Sequence, residues 1–249
     1  MSGHSKWSQI KRQKGITDAK RGQVFTKIGR ELSIAAKEGG GDPSSNFKLR
    51  LVIQKAKDAN MPTENIERAI KRALGAEAGV ALVETTYEGY GPGGTAVLVQ
   101  AVTDNRNRTS SEVRQLFVRH GGNLGESGCV AWLFDQRGVI VVSAAGEKAE
   151  ELALSAIDAG AEDFKQDAST LEIYTKPSDL EAVRKVLESK GAEVTSFDVA
   201  MVPKNTIALD VKTAEQTIRL LDKLEELDEV QKVFSNAEFP DEVLAKMAS

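Results

Sequence analysis

The chain has 249 residues, with 33 Lys/Arg against 37 Asp/Glu, a net charge of −4 and 41% hydrophobic residues. That apolar content supports packed cores and excludes wholesale disorder, and the length accommodates one large or two to three small domains. A single cysteine, Cys129, and two distant histidines, His4 and His120, exclude an internal disulfide and argue against a metal centre.

No run of about 18 apolar residues marks a membrane span. The basic N-terminus lacks the apolar segment that would follow it in a secretory signal, so a cytoplasmic protein without membrane contact is expected. The charge is unevenly spread. Residues 1–75 carry sixteen Lys/Arg against seven Asp/Glu, and residues 76–249 carry seventeen against thirty. A basic head on an acidic body suggests a polyanionic partner.

Residues 1–17 show neither helical nor alternating periodicity and read as an arm that is weakly ordered or ordered on binding. From about Asp18 the pattern is helical. Val24, Phe25, Ile28, Leu32 and Ala35 share one arc, while Lys27, Arg30 and Lys37 lie opposite. Gly39–Gly41 ends this helix. Asp42-Pro43 reads as the start of a second, whose stripe is Leu49, Val52, Ile53 and Ala56. Pro62-Thr63-Glu64 starts a third, with Ile66, Ala69, Ile70, Ala73 and Leu74 inward and Arg68, Lys71 and Arg72 outward. Three short helices with short loops predict a small bundle.

In the body, Val83–Tyr87 and Thr95–Val102 read as strands. The intervening Gly89–Gly94 formally matches G-x-G-x-x-G. A dinucleotide loop must open a helix, however, and this one leads into the β-branched run TAVLVQAV, so it reads as a strand connection. Thr109 with Glu112 suggests a capping box, which places Arg106 and Arg108 in a loop at a helix N-terminus, a position suited to anions. His120 lies on the inward arc of that helix and reads as a packed or capping residue. Residues 128–134 read as a strand carrying Cys129, taken as a small buried hydrophobe, and Trp132. Residues 136–203 follow the order β-α-β-β-α-β, the ferredoxin-like split unit. A strand, a helix and a last strand follow Pro203. The fold class expected is α+β, with three domains: 1–78, a discontinuous 79–135 plus 204–249, and an inserted 136–203.

Several segments resemble the YebC/PmpR family: the opening GHSKW, DAKRGQVFTKIGRE, the GGGDP turn, NMPTENIERAIK, YEGYGPGG, TDNRNRTSSEVR and GGNLGESGCVAWLF. The matches span roughly the first 135 residues; beyond them the likeness is in layout. The resemblance implies a three-domain chain and a DNA-binding transcriptional regulator. It also brings a second reading, because the family is similar to a mitochondrial translational activator and is linked to ribosome function.

Both readings need a surface for nucleic acid. The main candidates for phosphate contact are Lys6, Lys11, Arg12, Lys14, Lys20 and Arg21, continued on the first helix by Lys27 and Arg30. Trp7 is the candidate for base stacking. Arg68, Lys71, Arg72, Arg106 and Arg108 are secondary candidates. The acidic body is expected to repel nucleic acid and could recruit a protein partner. No nucleophile, acid–base pair or ligand cluster suggests catalysis, a metal or a cofactor. Sequence physics does not separate DNA from ribosomal RNA as the target, since neither a helix-turn-helix nor an RNP-type aromatic pair is present.

Overall fold

The computed structural model describes residues 7, 10, 18–75, 82–167 and 169–248. Three helices open the described chain: α1 (Asp18–Gly39), α2 (Phe47–Asp58) and α3 (Thr63–Leu74). Their stripes meet in a core that includes Ile28, Leu32, Leu49, Val52, Ile66 and Ala73. Leu74, expected inward, is exposed at the C-terminal end of α3. The N-cap of α2 is also not Asp42. That carboxylate accepts bonds from the backbone N–H and hydroxyl of Ser44 and closes a turn. Asn46 is the cap: its Oδ1 accepts from Leu49 N at 3.0 Å, and its Nδ2 donates to the carbonyls of Ala35 and Gly40. One buried amide thus satisfies groups at the end of α1 and the start of α2.

The rest of the chain is α+β. It continues through β1 (Val83–Tyr90), β2 (Ala96–Thr103), α4 (Arg106–Arg119), β3 (Asn123–Leu124) and β4 (Phe134–Ser143). Next come α5 (Gly146–Asp158), β5 (Asp163–Asp167), β6 (Thr170–Thr175), α6 (Leu180–Ser189) and β7 (Glu193–Pro203). It closes with β8 (Ile207–Ala208), α7 (Val211–Glu225), β9 (Val230–Ser235), β10 (Ala237–Glu238) and α8 (Asp241–Ala248).

One antiparallel sheet has the order β3-β1-β2-β9. β9 pairs with β2 although residues 104–229 intervene, so the sheet is closed by the far end of the chain. Helices α4 and α7 cover one face through Val113, Phe117, Ile218 and Leu221, and α8 adds Val243 and Leu244. β8 does not join this sheet; it pairs with β10 in a short parallel bridge. The second sheet has the order β5-β6-β4-β7, antiparallel throughout, with α5 and α6 packed on Ile140, Val142, Leu171 and Ile173. This is the ferredoxin-like arrangement predicted from the order of elements.

The glycine-rich segment links β1 to β2 through a tight turn at Pro92–Gly94. Its first glycine serves packing. A Cβ on Gly89 would lie 2.5 Å from the Asn123 carbonyl and 2.8 Å from the Phe117 ring. Gly89→Ala is therefore expected to destabilise by roughly 1–3 kcal/mol through overpacking. Urea denaturation would measure this, and an alanine variant of parental stability would disprove the close approach.

The sequence reading fails at residues 128–134. Instead of a strand, Ala131–Leu133 form a single 3-10 turn and β4 begins at Phe134. The cause is Glu88 on β1, whose buried carboxylate accepts from the N–H groups of Gly128 (2.7 Å), Val130 (2.9 Å) and Ala131 (2.7 Å). Donors bound to a carboxylate are not available to a β-ladder.

The bundle packs against both sheets. Lys48 pairs with Glu84 on β1, Arg50 pairs with Glu181 on α6, and Leu51 packs against the core of the second sheet.

Candidate nucleic-acid interface

Lys6, Lys11, Arg12 and Lys14 lie outside the described residues, as does the side chain of Lys20. Arg21 is exposed on α1. Trp7 is described, and it is not a stacking surface. Its side chain is 0% exposed and packs in the core shared by β2, α4, α7 and β9, with Ile10 half-buried beside the same cluster. A fully buried ring has no face to offer a base.

Lys27 and Arg30 are also redirected. Lys27 Nζ donates to the carbonyl of Glu225 and Gln23 Nε2 donates to that of Glu226, both at the C-terminus of α7. A cation there meets carbonyls without intrahelical partners and the negative end of the helix dipole. Arg30 donates to the Val102 carbonyl at 3.0 Å and lies 3.5 Å from Glu229. The polar side chains of Gln23, Lys27 and Arg30 therefore dock α1 onto the first sheet and the end of α7, while Lys37 on the same arc stays exposed.

The secondary candidates divide. α4 starts three residues before the expected capping box, at Arg106, because Asn105 is its N-cap and accepts from Arg108 N at 3.1 Å. Thr109 is buried and donates to Thr103 Oγ1. Arg106 and Arg108 are thus in the first helical turn. Arg108 is committed to Asp104 at 2.7 Å and Glu229 at 3.2 Å. Lys71 is exposed, 3.9 Å from Glu67.

Five arginines remain. Arg68 and Arg72 on α3, and Arg106, Arg114 and Arg119 on α4, are exposed, and their guanidinium groups make no ion pair among the described residues. Arg114 and Arg119 were not among the sequence candidates, although the signal was present: with Val113 and Phe117 inward, both fall on the outward arc of α4. His120 caps this helix and is half-buried. Burial, and then the nearby charges of Arg119, Lys223 and Arg219, hold its imidazole below the ordinary value. Of these cations, Arg219 pairs with Glu215 and Lys223 with Glu226, which leaves Arg119 as the one without a carboxylate among the described residues. Guanidinium groups without carboxylate partners are suited to bidentate phosphate contact.

Two aromatic side chains are exposed on the other side of the first sheet. Trp132 is 65% exposed, and Tyr90, at the end of β1, is 41% exposed. Cys129 beside them is half-buried, not enclosed, and burial followed by the charge of Glu88 pushes its thiol pKa up. A raised thiol is a poor nucleophile.

A cleft of about 950 Å³ lies where α2, the first sheet and β7 meet. Its charges are matched: Lys55 with Glu31, Lys48 with Glu84, Lys232 with Asp198 and Arg184 with Glu188. Internally neutralised walls give no net attraction for a polyanion. No group of three or more His, Cys, Asp or Glu side chains among the described residues is placed to hold a metal ion. No helix among those residues is long and apolar enough to cross a membrane.

Residues 5–76 match the family described as the TACO1/YebC protein N-terminal domain, and residues 82–237 match the TACO1/YebC second and third domain. A probable transcriptional regulatory protein of Dehalococcoides mccartyi is 56% identical over 249 residues, covering 100% of this chain and 99% of that protein. Another, from Moorella thermoacetica, is 55% identical over 250 residues and covers 99% of each chain. The crystal structure of a conserved hypothetical protein from Aquifex aeolicus superposes with a TM-score of 0.81 at 49% identity, covering 90% of this chain and 92% of that one.

Proposed function

This chain belongs to the TACO1/YebC family, and from that premise we propose that it is a DNA-binding transcriptional regulator, acting in the cytoplasm and without catalysis. Its relatives are named probable transcriptional regulatory proteins, which supports the regulatory part of this reading. The observation that carries the reading is the set of five exposed arginines on α3 and α4 that have no ion-pair partner among the described residues. We take the chain as three units, 1–78, 79–135 with 204–249, and 136–203. In this reading the arginines of the first two units and the Lys/Arg of the arm contact phosphates, while the acidic surface of the third is turned away and is free for a protein partner.

Phosphate contacts supply affinity and register, and their number sets the salt dependence. Arg114→Ala combined with Arg119→Ala is expected to reduce the slope of log K against log salt by about 0.9 per lost contact on duplex DNA. Exposed substitutions of this kind usually change stability by no more than about 0.5 kcal/mol, so the fold should be retained. A folded double variant with the parental slope would remove α4 from the interface. Crosslinking in cells followed by sequencing of the attached nucleic acid tests the named role: promoter DNA supports it, and enrichment of ribosomal RNA would replace it with a translational one.

A further inference from the structure

The segment that carries Trp132 is built to hold it in the open. An indole is ordinarily among the more buried side chains of a protein, so a ring left 65% exposed is informative. Trp132 is also held in place. Its Nε1–H donates to the Cys129 carbonyl at 3.1 Å, and the Tyr90 hydroxyl donates to the same carbonyl at 3.1 Å. Two aromatic side chains therefore converge by their polar edges on one oxygen, while both remain substantially in solvent.

The backbone beneath them is fixed by the three N–H bonds to Glu88. Val130 and Phe134, on either side of Trp132, are anchored in a core with Leu98 and Phe234. Lys204 adds a cation at the margin: its Nζ donates to the Trp132 carbonyl at 2.9 Å and lies 3.3 Å from Asp135.

We propose that Tyr90 and Trp132 form a preorganised stacking platform for unpaired bases of a single-stranded nucleic acid. The inference rests on the nucleic-acid reading above and adds a second, chemically different contact to it. A base inside a duplex already has both faces stacked, so the platform engages only unpaired bases. Every base has a π-face, so it is tolerant of sequence. Rigid aromatic rings whose polar atoms are already bonded lose little entropy when a base docks. Asp135 balances the charge of Lys204, so this contact adds stacking and leaves the salt dependence to the arginines.

The test uses the full chain with short deoxythymidine and uridine homopolymers and a duplex hairpin. The chain has two tryptophans, and Trp7 is enclosed, so quenching of intrinsic fluorescence by a bound base reports on Trp132. Binding of either homopolymer is expected to quench the parent. Trp132→Ala is expected to weaken homopolymer binding about 5- to 150-fold with an unchanged salt slope and little effect on the duplex. Trp132→Phe keeps a ring but lacks the N–H, so it should retain most of the affinity. If the indole served only to bond Cys129, phenylalanine would fail as badly as alanine, and that result overturns the platform. A folded alanine variant with parental homopolymer affinity also overturns it. Duplex binding that depends on the arginines, with no quenching by either homopolymer, removes the platform alone. Failure of the parent to bind any of the three ligands removes the nucleic-acid reading as well.

Discussion

Replacing Trp7 with alanine is expected to destabilise the protein by roughly 3–5 kcal/mol, the range for truncating a large buried aromatic. The side chain is 0% exposed among Val97, Phe117, Leu221 and Val233, so its removal opens a cavity in the core that joins the first sheet to α4 and α7. Denaturant unfolding at equilibrium measures this directly. The affinity of the folded fraction for single-stranded nucleic acid should be unchanged. A base-stacking Trp7 would give the reverse pattern, with near-parental stability and a loss of about 1–3 kcal/mol in binding. The same contact means that a fragment of the head alone would lack the core in which Trp7 sits.

Glu88→Gln is the second large effect expected. The carboxylate accepts three backbone N–H bonds through its two oxygens. An amide there turns an NH2 group toward at least one of these donors and leaves it unsatisfied in a buried setting. The cost should be roughly 2 kcal/mol or more. The substitution should also change the response to acid. Burial alone would raise the carboxyl pKa, but the bonds from Gly128, Val130 and Ala131 outweigh it and hold it below its ordinary value. A depressed folded-state pKa contributes stability that is present in full above the unfolded value of about 4.3 and is lost as pH falls through the folded value. The parent should therefore lose more stability than Glu88→Gln between neutral pH and about pH 3. Equal acid sensitivity of the two proteins, measured by urea unfolding, would show that Glu88 is not the group responsible.

These two residues also explain what cannot be read locally. Glu88 lies just beyond the strand read at Val83–Tyr87, and β1 runs on through it to Tyr90. Its effect is elsewhere: it takes the donors of residues 128–131 and converts an apparent strand into the loop that displays Trp132. Nothing in the composition of GCVAWLF signals this, because the carboxylate responsible lies some forty positions upstream. Lys27 and Arg30 present the same difficulty. Their helical arc is polar and looks solvent-facing, yet it meets the end of α7, whose carbonyls accept from Lys27 and Gln23. Conversely, Arg114 and Arg119 are legible as outward from the sequence, because Val113 and Phe117 on the same helix are inward.

The sequence by itself determined the α+β class, the helical bundle at the head, the β-α-β-β-α-β order of residues 136–203 and the strand-to-strand role of Gly89–Gly94. Each depends on periodicity, turn chemistry or charge counted over a window, and these report the average environment of an element. The tertiary structure alone decided which of two tryptophans is enclosed, which cations are spent on docking and which remain for a polyanion. Those outcomes turn on single partners distant in the chain, such as Glu225 for Lys27, Val102 for Arg30 and Glu88 for the Trp132 loop. A polar or aromatic side chain takes its role from the one group it meets after folding, and no local pattern encodes that meeting.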